Sequence, residues 1–112
     1  MKIVKWQDVE TAQNPHKIDA RKLYDQEAAQ VMHLTLQPGE QLIRHMTPVD
    51  VIFYVLEGTG VVEVGDEQQE VGPDNLIESP AKIPHCWYNR SESPLRFLVI
   101  KTPRPTSTTK LL

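Results

Sequence analysis

The chain carries one cysteine, Cys86, in 112 residues. An internal disulfide is therefore excluded, and an oxidising compartment gains no support. No apolar run approaches the ~18 residues of a membrane span. The first residues, MKIVKWQDVE, place charge within and just after their short apolar stretch, so they lack the apolar h-region of a signal peptide. A cytoplasmic protein with no membrane partner is the expectation. An excess of positive charge is missing too: 12 Lys and Arg against 15 Asp and Glu give a formal charge of −3 and a pI near 5.8. Such a chain has no net basic field with which to gather nucleic acid. The sequence contains no Gly-x-Ser-x-Gly elbow, no P-loop, no dinucleotide fingerprint and no long-period repeat.

What is present is a series of short strands. Residues 31–36 alternate and end at Pro38-Gly39, and residues 41–46 form a second candidate. Residues 51–56 are a continuous apolar and aromatic run, short enough for a strand buried on both faces. Residues 61–64 and 68–71 flank Gly65-Asp66 and read as a hairpin closed by that turn. Residues 75–78, 86–89 and 95–101 supply three more strands, with Pro80, Pro84 and Pro94 in the connections. Short strands at near-regular spacing predict a sandwich or closed barrel. Only residues 19–30 have helix-compatible composition. Residues 1–20 are expected to wrap the barrel or add an edge strand, and the proline-broken tail from Pro103 to be a loose terminus or an arm on a second subunit. A chain of this length buries roughly 60–70% of its unfolded surface, which suits one domain over 1–112.

Two segments carry the histidines of chemical interest, GEQLIRHMTPVDVIFYVLEG at 39–58 and DNLIESPAKIPHCWYN at 74–89. Together they resemble the two signature motifs of the cupin superfamily. The resemblance spans about residues 30–101 and implies an all-β double-stranded β-helix, a jelly-roll barrel, often with one divalent metal at its mouth. Gly39 leads at the expected spacing to His45. Thr47 stands where the second histidine belongs, and Val51 where the glutamate belongs. The second motif keeps Pro80, His85 and Asn89, while Asp74 and Lys82 replace two glycines.

A divalent ion is typically fixed by three or four protein ligands. His45 and His85 supply two, and Asp50 is the candidate third, completing a two-histidine, one-carboxylate set. On a regular strand, however, Asp50 shares a face with Ile52 and Tyr54, opposite to Val51, so a bend near Pro48-Val49 is needed to turn it inward. Thr47, Phe53 and Trp87 are expected to line the pocket, with core packing the alternative for Trp87. His33 either enters the cavity or lies on the solvated sheet face, the second being favoured. His16, beside Pro15, reads as a surface residue. Cys86, adjacent to His85, reads as a small buried hydrophobe. The functional expectation is a pocket for a small polar metabolite with a divalent metal on His45 and His85. The alternative is a metal-free binding or sensing protein in which the two histidines are hydrogen-bonded. By the resemblance, a homodimer is expected.

Overall fold

The computed structural model describes residues 1–107 and 110–112. Among the described residues ten strands follow in order: β1 (Asp19–Gln26), β2 (Ala29–Leu36), β3 (Gln41–Met46), β4 (Asp50–Glu57), β5 (Gly60–Val64), β6 (Glu67–Val71), β7 (Leu76–Ser79), β8 (His85–Tyr88), β9 (Leu95–Thr102) and β10 (Lys110–Leu111). They make two five-stranded antiparallel sheets, ordered β1-β2-β9-β4-β7 and β10-β3-β8-β5-β6. This is the jelly-roll barrel that the resemblance implies, and it accords with the sandwich or closed barrel expected from the strand spacing. Among the described residues no helix is long and apolar enough to cross a membrane.

Period two dictates which side chains meet between the sheets. From the first sheet, β4 sends Val51, Phe53 and Val55 inward, and β9 sends Leu95, Phe97 and Val99. From the second, Leu42, Val62 and Trp87 face them. Trp87 stacks on Phe97 with ring centroids 4.3 Å apart, and Phe53 meets both edge-on, which closes the deep end of the barrel with aromatic surface. The Gly65-Asp66 turn closes the β5–β6 hairpin, with Val64 opposite Glu67.

Three segments depart from expectation. Residues 19–30 form the β1–β2 hairpin, not a helix, because Ile18 and Ala20 find a buried face against β2 that local propensity does not register. The C-terminal residues Lys110 and Leu111 pair with Met46 and His45 of β3 in the same chain, so this end of the tail is a sheet edge and not a loose terminus. Residues 108 and 109 of the expected tail lie outside the described residues. His33 is neither in the cavity nor solvated. It lies opposite in parity to Met32 and Leu34, on the outer face of the first sheet. There it is 1% exposed because Trp6 stacks on it at 4.1 Å and Arg96 Nη1 donates to its Nε2 at 2.8 Å. Arg21 and Arg96 both lie against the Trp6 ring, so the N-terminal segment is pinned by one stacked tryptophan.

Two positions show backbone demand directly. Gly58 has φ +84°, and a Cβ there would sit 2.2 Å from the carbonyl oxygen of Pro94. Lys82, one of the two residues that replace a glycine, retains φ 65°, with its N–H donating to Thr47 O at 2.9 Å. An L side chain in this region is strained where glycine is not. Lys82→Gly should therefore stabilise the protein by roughly 0.5–1 kcal/mol, raising Tm by a few degrees. Gly58→Ala should cost at least about 2 kcal/mol. Thermal unfolding of the two variants beside the unsubstituted protein checks both.

Candidate functional site

His45 on β3 and His85 on β8 are direct cross-strand partners. Reaching that pairing requires an irregularity. Leu42 pairs with Trp87 and His45 with His85, so β3 spends three steps where β8 spends two. This extra residue is a β-bulge at Ile43-Arg44, and it reverses the parity of the strand, so that Leu42 and His45 both point inward. It also takes the Ile43 peptide out of the regular ladder. Its N–H donates to His16 Nδ1 at 2.8 Å, and its carbonyl lies 2.6 Å from His45 Nδ1.

Those partners fix the proton positions. His45 Nδ1 carries a proton, given to the Ile43 carbonyl, and His45 Nε2 is then a lone pair directed at His85 Nε2, 2.9 Å away. On the far side of His85, Nδ1 lies 2.7 Å from Ser79 Oγ, a group that can donate or accept. With the serine hydroxyl donating, His85 Nε2–H bonds to His45. With it accepting, two Nε2 lone pairs converge and an electrophile belongs between them. Two nitrogens bound to one ion at ~2.1 Å stand about 3.0 Å apart at a right angle and about 3.4 Å apart at the tetrahedral angle. The observed separation fits the right-angle pair.

Burial and mutual repulsion keep the cluster neutral. Desolvation, then the neighbouring His45 and Lys101, hold His85 down at about 3. Desolvation, then His45 and Lys101, hold His16 at about 4. Desolvation also lowers His45, against the Ile43 carbonyl that favours its charged form. On the outer sheet face, desolvation and then Arg96 hold His33 at about 4. Neutral imidazole is the form that ligates a metal or accepts a hydrogen bond.

A cavity of about 300 Å³ opens beside the histidines. The first sheet lines it with Met32, Leu34, Val99 and Lys101, the second with Leu42, His45, His85 and Leu111, and the segment Asn14, Pro15 and His16 covers one side. Expected members of the site fall into three groups. His45 and His85 converge. Thr47, Phe53 and Trp87 are buried but do not line this cavity. Phe53 packs under His85 at 5.1 Å, and Trp87 lies two residues further down β8 in the aromatic floor. Asp50 is not brought to the histidines: β4 is regular from Asp50 to Val55, so period two leaves the side chain exposed, where it accepts the Ala81 N–H at 2.9 Å. Among the described residues no group of three or more His, Cys, Asp or Glu is placed to hold a metal. Cys86 is buried facing away from the cavity and bonds to Glu63 Oε2 at 2.7 Å.

Three site residues escaped the sequence reading. His16 is half-buried over the cavity and not on the surface, because the bulge supplies it a peptide N–H. Ser79 orients His85, a role with no sequence signature beyond its place before Pro80. Lys101 did carry a signal: it continues the inward parity of Leu95, Phe97 and Val99.

The profile of the Cupin domain family matches residues 32–101. The chain belongs to the cupin family. The cupin barrel superposes on the protein TT1209 of Thermus thermophilus with a TM-score of 0.81 at 32% identity, covering 94% of this chain and 100% of that one. It superposes on the polyketide cyclase RemF of Streptomyces resistomycificus with a TM-score of 0.86 at 25% identity, covering 100% of this chain and 85% of the cyclase. An uncharacterised protein of Methanocaldococcus jannaschii is 26% identical over 85 residues, 75% of this cupin and 73% of that protein.

Four histidines with lowered values give a definite pH dependence. Below about 6.5 the unfolded chain takes up protons that folded His16 and His33 refuse until about 4 and His85 until about 3, with His45 shifted in the same direction, so the stability present above that window falls on acidification through it. For His33 and His85, each no more than 2% exposed, the slope is about 1.4 kcal/mol per pH unit apiece. Urea unfolding from pH 7.5 to 4.5 should show a declining midpoint, and His33→Phe should flatten the decline.

Proposed function

We propose that the protein binds a compact small molecule in the cavity between its sheets, with His45 and His85 forming the polar pole and the seat of a divalent cation. The observation that carries this reading is the convergence of two Nε2 atoms at 2.9 Å, each ring anchored through its Nδ1. Hydrogen bonds to the ring nitrogen remote from the ion fix imidazole orientation at metal sites. The chain supplies two nitrogens where three or four ligands hold an ion tightly. Retention therefore depends on water or the bound molecule for the remaining donors, and the ion would act as a Lewis acid on the oxygens it holds. The absence of a third ligand among the described residues favours a second reading, a metal-free binding pocket in which the histidines bond to each other. A barrel of this shape serves a polyketide cyclase in Streptomyces resistomycificus, which accords with a small organic ligand. The exposed apolar residues Met1 and Ile3, ahead of the pinned Trp6, support a homodimer in which the N-terminal segment covers a second subunit. Light scattering should then give twice the 12.8 kDa chain mass at micromolar concentration, and a monomer mass would remove that part of the proposal.

Metal content after incubation of the tag-free protein with zinc, iron, manganese or nickel tests the site. Wild type should retain about one ion per chain and His85→Ala none, because one imidazole would remain. Asp50→Asn should leave retention unchanged, its carboxylate being engaged with Ala81. An empty wild type would establish the metal-free reading instead.

A further inference from the structure

Lys101 is the one lysine or arginine among the cavity-lining residues, and that lining contains no carboxylate. Its side chain follows Leu95, Phe97 and Val99 in the inward parity of β9, so it leaves the first sheet towards the histidines of the second. The ion pairs among the described residues join Arg21, Lys22, Arg96 and Arg104 to acids and leave Lys101 without a partner. Nor does its side chain form a hydrogen bond with any of them. Desolvation and then Lys22 lower its affinity for a proton, and no neighbouring acid opposes them. A partly buried ammonium with no counter-charge is costly to the free protein. An anion entering the cavity would relieve that cost.

We propose that Lys101 makes the cavity selective for a small monocarboxylate, whose anionic end meets the Lys101 ammonium while its apolar body lies along Met32, Leu34, Leu42 and Val99. The charge count and the lining favour this ligand. The lining holds one lysine, no arginine and no carboxylate, so one fixed positive charge is available and one negative charge balances it. A phosphate dianion would leave a charge uncompensated in an apolar enclosure, and among the described residues no helix N-terminus faces the cavity to receive it. A neutral ligand would leave the ammonium unpaired. The inference rests on the reading of this cavity as a ligand pocket, and its charge count is that of the metal-free cavity, since a divalent ion on His45 and His85 would add two positive charges.

Calorimetric titration of metal-stripped protein with benzoate and phenylacetate, beside benzamide, phenylacetamide and phenyl phosphate, tests it. The carboxylates should bind at least about tenfold more tightly than their amides. Lys101→Met should erase that preference by weakening the carboxylates alone, and Lys101→Arg should keep it. The Met variant should unfold at or above the wild-type temperature, since it removes an unpaired cation. Its metal content should match wild type, so loss of the metal site and loss of anion selectivity are read separately. Amides binding as well as carboxylates, phenyl phosphate binding more tightly than benzoate, an undiminished preference in Lys101→Met, or no carboxylate binding at millimolar concentration would each overturn the proposal.

Discussion

Between Leu42 and His45, β3 takes one residue more than the stretch of β8 beside it, and the candidate site depends on that insertion. A regular strand would put His45 on the opposite face from Leu42, outside the barrel. The bulge reverses the parity and frees one peptide. The Ile43 N–H and carbonyl then bind two different imidazoles, His16 as an acceptor and His45 as a donor. One backbone irregularity thus turns a side chain inward, sets its tautomer and recruits a residue 27 positions away in sequence.

The electrostatics follow from that arrangement. Three imidazoles in one partly dry enclosure cannot all be charged, and burial drives each towards the neutral form. Lys101 reinforces this from the opposite sheet, and it remains the cavity's source of positive charge. Below the histidines, Phe53, Trp87 and Phe97 close the barrel so tightly that the aromatic residues support the site without lining it. The cavity therefore has a polar pole of nitrogen atoms above an apolar wall, the usual build of a small-molecule site.

Most strands were legible because alternation and turn residues act locally: residues 41–46 are β3 itself, and the Gly65-Asp66 hairpin needed only its turn chemistry. Convergence of His45 and His85 was legible through motif spacing. Period two also raised the difficulty with Asp50, and β4 shows no bulge there to resolve it. The bulge in β3 was not legible, since nothing in QLIRHM distinguishes a regular strand from one with an extra residue. His16 and Ser79 act through long-range contacts and left no periodic trace. His33 was misplaced for a related reason: the reading favoured a solvated sheet face over the cavity, and the cover it has on that face comes from Trp6, far earlier in the chain. The helix-compatible composition of residues 19–30 yielded to an apolar face available only once β2 was in place.

Long-range proton–nitrogen correlation NMR of the imidazole rings at pH 7 tests the role of the bulge most directly. The bulged geometry predicts His45 with its proton on Nδ1 and a bare Nε2, and His16 with the reverse, its Nδ1 bare to accept from Ile43. A His45 ring protonated at Nε2 alone, or a His16 ring protonated at Nδ1, would contradict it.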